Sequence, residues 1–100
     1  MVTWAVANTT EAADVGKSVE ITAVRNWAAQ LDDDFPHFFD LNPWEDVVPA
    51  GSVPALVSEL VVMETRMRQG GFPVGLELIV TTMLRMARRA AALQRALVIN

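Results

Sequence analysis

The chain contains no cysteine and only one histidine, His37. Without cysteine there are no disulfide bonds, no thiolate nucleophile and no cysteine-ligated metal. A lone imidazole is a poor basis for a zinc site, and no serine lies in a Gly-x-Ser-x-Gly motif. The glycines near residue 70 do not form a phosphate-binding loop. We therefore expect a protein that is not an enzyme and that holds no metal and no cofactor.

The sequence also has no long hydrophobic run and no early positive charge. Its most apolar stretch, residues 74–84, contains Glu77 and is about half as long as the ~20 residues that a membrane span needs. No lysine or arginine precedes Lys17, whereas a secretory signal begins with positive charge. These absences predict a cytoplasmic protein that does not contact the membrane.

Apolar residues make up 52% of the 100 residues and charged residues 20%, which is typical of a globular chain. We expect a single domain over residues 1–100. The net charge of −4 conceals an asymmetry between the two halves. Residues 1–50 hold nine acids and two bases, and residues 51–100 hold three acids and six arginines. Such a separation either steers a charged partner or is neutralised within the fold.

The clearest pattern lies near the carboxyl end. Apolar residues recur at helical spacing over 52–69 and again over 74–97, and Gly70 to Pro73 interrupt them. A connection this short predicts an antiparallel helical hairpin. We therefore expect an all-α fold, a small bundle of three to five helices centred on this hairpin.

The first thirty residues allow two interpretations. Residues 2–7 alternate as a strand does but are too few to decide, and a helical turn after the Asn8-Thr9-Thr10 run is plausible. Residues 18–31 carry apolar positions at helical spacing, although residues 19–23 also alternate. The alternative is an α+β fold in which residues 2–7 and 18–24 form a short N-terminal hairpin.

Residues 32–46, which we call the acidic aromatic segment, differ in kind. Prolines 36 and 43 forbid a continuous helix, and short helical turns are expected after Asp34 and Asn42. Aromatic anchors with a rim of carboxylates suit a basic protein partner. The candidate partner-binding residues are Asp32, Asp33, Asp34, Phe35, Phe38, Phe39, Trp44, Glu45 and Asp46. The competing interpretation is that the aromatics fold inward over the core and leave the acids in water.

The sequence thus favours a non-enzymatic interaction protein, inhibitor-like, immunity-like or an adaptor, with a basic partner. One alternative is a homo-oligomeric scaffold, because the apolar arc of the last helix is wider than one neighbour usually covers. Another is a small nucleic-acid-associated regulator, which a pI of about 4.7 disfavours. The residues that would contact an anion or a second copy are Arg85, Arg88, Arg89 and Arg95.

Overall fold

The computed structural model describes every residue from Met1 to Asn100. Along the chain the elements are β1 (Val2–Val6), β2 (Ala12–Gly16), α1 (Ser18–Ala29), α2 (Pro36–Asp40), β3 (Asp46–Val48), a 3-10 turn (Ala50–Ser52), α3 (Val53–Arg68), α4 (Glu77–Leu93) and β4 (Leu97–Ile99). The strands form one sheet in the order β2-β1-β4-β3, and all neighbours are antiparallel.

The prediction of an all-α bundle is therefore wrong. The fold is α+β, with 53% of the residues in helices and 16% in strands of a single sheet. The α+β alternative has the right class but the wrong pairing. Strand β1 pairs with β2, where a helical turn was expected, and residues 18–24 belong to α1.

The N-terminal hairpin follows from a polar turn between two short strands. Asn8 adopts a left-handed backbone conformation, with φ of 59°, which asparagine tolerates better than most residues. The Val6 amide donates to the Glu11 carbonyl across the turn at 2.9 Å. Val2, Trp4 and Val6 all point into the core, as their period of two predicts for a strand with one buried face.

The last helix is shorter than predicted, and a strand follows it. Helix α4 ends because Gln94 adopts the left-handed conformation, with φ of 54°. The chain then reverses, and β4 enters the sheet between β1 and β3. The hairpin of α3 and α4 is present, and α4 also packs against β1 and β2.

The core lies between the sheet and the helical hairpin as one cluster of 25 buried residues. The wide apolar arc of α4 is covered by its own chain, with the sheet on one side and α3 on the other. Gly16 permits this close packing, since a Cβ there would lie 3.1 Å from Cδ1 of Ile79 on α4. The arc therefore no longer argues for a second copy.

The other face of the sheet carries no buried large side chain. A row of small apolar residues crosses all four strands on this face, and Val47 in β3 is 57% exposed. We call it the outer row: Ala12, Ala5, Val98 and Val47. None of the helices is both long enough and apolar enough to cross a bilayer.

Candidate functional site

The acidic aromatic segment is fastened to the body of the protein by buried side chains. Phe35 and Phe38 are 2% and 1% exposed, and Leu41 is buried beside them in the same core cluster. The inward interpretation therefore describes Phe35 and Phe38, which present no surface to a partner in this conformation. Their burial fixes where the rest of the segment stands.

A carboxylate on α3 holds the start of α2. Glu59 accepts hydrogen bonds from the backbone amides of His37, at 3.2 Å, and Phe38, at 2.9 Å. Its Oε2 atom also lies 2.6 Å from Nδ1 of His37. These contacts satisfy amides at the helix start that have no partner within α2. The lone histidine is thus a hydrogen-bonded residue in the first turn of α2, and Glu59 is the residue that orders this helix.

A second contact to α3 secures the aspartate run. Arg66 donates from Nε and Nη2 to the two carboxylate oxygens of Asp33, at 2.7 and 3.1 Å. This two-point contact between a guanidinium and a carboxylate is geometrically specific. The hydrogen bond from Arg66 lowers the pKa of the Asp33 carboxyl below its ordinary value. Asp33 is consequently held on the protein, whereas its neighbours Asp32 and Asp34 are exposed.

The third anchor is a turn around Asn42, where a short helix was expected. The side-chain oxygen of Asn42 accepts a hydrogen bond from the Trp44 backbone amide at 3.0 Å, and the Asn42 backbone amide donates to the Asp46 carboxylate at 2.8 Å. This is the local bonding by which asparagine and aspartate replace a helical turn with a tight bend. The chain then enters β3, so the expected helical turn after Asn42 is not formed.

What remains exposed is a smaller set than the sequence suggested. Phe39 is 36% exposed and Trp44 is 40% exposed. The guanidinium of Arg25, on α1, lies 5.8 Å from the centre of the Phe39 ring. The exposed carboxylates of the segment belong to Asp32, Asp34, Asp40 and Glu45. Two aromatic rings and four acids of the segment are therefore the side chains that stay accessible to a partner.

Three of the four predicted arginines line a second surface, a shallow groove on α4 with a volume of about 470 Å³. Glu11, from the turn of the N-terminal hairpin, lies 2.6 Å from Nε of Arg89. Arg85 and Arg88 form no salt bridge. We call this surface the arginine groove. Arg95 lies outside it, beyond the end of α4, in a separate hollow with Asn8 and Gln94.

Sequence reasoning missed the residues that hold the segment in place. The sequence pattern places Glu59 and Arg66 off the apolar stripe of α3 and indicates no role for Arg25. A weak sequence signal for these two residues exists. Glu59 and Arg66 are seven residues apart and therefore lie on the same side of the helix. On that side the Glu59 carboxylate accepts hydrogen bonds from amides of α2, and the Arg66 guanidinium binds Asp33 in the aspartate run.

No group of three or more histidine, aspartate and glutamate side chains is arranged to hold a metal ion. Comparison with protein-family models, with curated proteins and with solved structures finds no match to this chain.

Proposed function

We propose that the protein is a non-enzymatic interaction protein, an inhibitor, immunity-like partner or adaptor of the cytoplasm. Its acidic aromatic segment binds a basic protein partner. The observation that supports this proposal is that some side chains of residues 32–46 hold the segment in place while others stay exposed. Phe35, Phe38 and the Asp33 carboxylate are committed to holding the segment, while two aromatic rings and four acids stay exposed.

Such an arrangement suits binding for an energetic reason. A loop that is ordered before it meets its partner loses less conformational entropy on association than a mobile loop does. Each of the three anchors described above reduces the freedom of the segment. Exposed rings at Phe39 and Trp44 offer contact area, and the carboxylates around them steer a positively charged surface and raise its rate of encounter.

The experiment compares capture of host proteins by two variants of equal net charge. In the first variant, Asp32→Asn, Asp34→Asn and Glu45→Gln remove three exposed charges from the segment. We expect it to lose a basic protein that the wild type captures. With that protein purified, calorimetry is expected to give an affinity at least about tenfold weaker for this variant, with a strong dependence on salt.

The matched control removes three charges elsewhere, through Asp14→Asn, Glu64→Gln and Glu77→Gln. Its net charge equals that of the first variant, so a nonspecific effect of charge lowers capture by both. The proposal requires the control to bind as the wild type does. Equal capture by all three proteins, or the absence of any captured basic protein, contradicts it.

The outer row supports a second candidate, a homo-oligomeric scaffold. Val47 and Val98 are neighbours on the face of the sheet that no helix covers, and Val47 is more than half exposed. Two such faces packed together would bury apolar surface that now meets water. The substitution Val47→Lys is expected to lower the sedimenting mass if copies associate through this face. An unchanged mass contradicts the candidate.

A further inference from the structure

The arginine groove contains positive charge that the fold leaves without an acceptor. Arg88 and Arg89 lie three and four residues after Arg85, which places each of them next to Arg85 on the surface of α4. Arg89 is paired with Glu11, but Arg85 and Arg88 have no carboxylate within salt-bridge distance. Two adjacent guanidinium groups that repel each other are a favourable site for a carboxylate.

The lining of the groove limits what fits it. Apolar side chains of Leu84, Met86 and Ala92 contribute to its walls, so the groove offers hydrophobic contact as well as charge. Glu11 and Glu64 also line it, and their carboxylates oppose a polyanion such as a nucleic acid. These features favour a short segment that presents one apolar or aromatic side chain next to a carboxylate.

The chain itself displays such a segment on its other side. Trp44 is 40% exposed, and Glu45, which follows it in the bend around Asn42, is also exposed. Helix α3 separates the two surfaces, because Glu59 contacts the acidic aromatic segment and Glu64 lines the groove. The Trp44–Glu45 corner of one molecule therefore lies away from its own groove and is available to the groove of another molecule.

We infer that the arginine groove binds the Trp44–Glu45 corner of a second copy of this chain. The indole lies against the guanidinium of Arg85 or Arg88 and the apolar wall, and the Glu45 carboxylate accepts hydrogen bonds from the same arginines. Because groove and corner are different surfaces, the contact is head-to-tail, and chains of molecules grow with concentration. This association uses part of the surface in the proposed function but does not depend on the basic partner.

Sedimentation of the full chain over a range of concentrations tests the inference. At low salt the wild type is expected to form dimers and longer species, and high salt is expected to dissolve them. Replacing the two free arginines, Arg85→Ala with Arg88→Ala, is expected to weaken association at least about tenfold. The control Lys17→Ala with Arg95→Ala removes the same charge outside the two sites and is expected to associate as the wild type does.

Mixing two non-associating variants provides the sharper test. Trp44→Ala with Glu45→Ala removes the corner and keeps the groove, whereas the Arg85/Arg88 variant keeps the corner and loses the groove. Each alone is expected to be a monomer, and the mixture is expected to form one-to-one dimers that do not grow. Circular dichroism verifies that both are folded. If Trp44→Ala unfolds the chain, Glu45→Arg alone serves as the corner variant.

Three results would overturn the inference. They are a monomeric wild type at high concentration and low salt, undiminished association of the Arg85/Arg88 variant, and failure of two folded variants to form a mixed dimer. The proposed function is assessed independently, because the Arg85/Arg88 variant keeps its acidic aromatic segment. It is expected to capture the basic partner as the wild type does, whatever its state of association.

Discussion

The two charged surfaces on either side of α3 are built in opposite ways. The acidic aromatic segment is irregular, and its shape depends on contacts with residues far away in the sequence, such as Asp33 with Arg66. The arginine groove stands on a regular helix whose opposite face supplies much of the core. In the groove, charged and structural residues therefore lie on separate faces. In the acidic aromatic segment, structural residues and exposed charged residues alternate along the chain, so adjacent residues have different roles.

Position in the sequence therefore predicts poorly which side chains of the acidic aromatic segment are exposed, whereas it predicts this well for the arginine groove. Phe38 and Phe39 are adjacent, and their rings meet at 5.3 Å, yet one is buried and the other is partly exposed. On α4 the helical period alone separates Arg85 and Arg88 from their buried neighbours. Substitutions in the two regions are expected to reflect this contrast.

The largest effect is expected at Phe38. Phe38→Ala removes a buried ring and leaves a cavity, which lowers the free energy of unfolding by about 3–5 kcal/mol. Phe39→Ala, one residue on, is expected to cost about 1 kcal/mol or less because part of its ring is already in water. Urea denaturation of both variants measures the difference. Equal losses would mean that the two neighbours do not have the separate tasks assigned to them.

The next effect is expected at the carboxylate that orders α2. Glu59→Ala leaves the amides of His37 and Phe38 without their acceptor, and we expect a loss of about 1–2 kcal/mol. Glu64→Ala on the same helix is the control and is expected to change stability by about 0.5 kcal/mol or less. Hydrogen exchange of the Phe38 amide should accelerate only in the first variant. Unchanged protection there would contradict the anchoring role of Glu59.

A smaller effect, dependent on pH, is expected at Asp33. Its pKa is lower in the folded protein than in the unfolded chain, so its ionised form stabilises the fold above the unfolded pKa. That stabilisation is lost as the pH falls through the folded value. Asp33→Asn is therefore less stable than the wild type near neutral pH, and the difference shrinks below about pH 4.

Asp34→Asn provides the comparison for this pH series, because Asp34 forms no salt bridge and no side-chain hydrogen bond. Asp34→Asn is expected to change the free energy of unfolding by about 0.5 kcal/mol or less near neutral pH. Urea denaturation across the acid range measures both variants. A constant difference between Asp33→Asn and the wild type would show that the Asp33 contact does not titrate as described.

The smallest effect on stability is expected in the groove. Arg85→Ala with Arg88→Ala should change the free energy of unfolding by about 0.5 kcal/mol or less, because both side chains are exposed and unpaired. Thermal unfolding at high salt, where any association is suppressed, measures this. A large loss would show that the groove arginines support the fold, and the contrast between the two surfaces would disappear.

The sequence predicted the hairpin of α3 and α4 well, because long amphipathic periods and a Gly-Gly interruption are strong local signals. It did not predict β4, since three residues after a long helix give no detectable period. The apolar periodicity predicts a helix that continues to Leu97. The helix instead ends just before Gln94, whose left-handed conformation is uncommon for residues other than glycine and so gives no signal in the sequence. Asn8, Thr9 and Thr10 predict a helical turn where β2 forms, because these residues favour helix caps as well as hairpin turns.

In the acidic aromatic segment, composition indicated the kinds of residue but not their division. Phe35 and Phe38 are buried, as the inward interpretation predicts, while Phe39 and Trp44 remain partly exposed. Which aromatic rings are buried depends on the position of α3. That position is set by long-range contacts, which no local periodicity in the sequence encodes. Of the four arginines that the sequence singles out, Arg85, Arg88 and Arg89 line the groove, and Arg95 lies past the end of α4.

The middle of the sheet joins strands from opposite ends of the sequence, and Thr3 and Asn100 exchange backbone hydrogen bonds at 2.8 and 2.9 Å. Strand β3 reaches the sheet only through β4. During synthesis β4 emerges after β1, β2, β3 and the helices, and until then β1 has an open edge. The N-terminal hairpin and the helical pair have their own contacts through α4, but the four-stranded sheet forms only when β4 pairs with both β1 and β3.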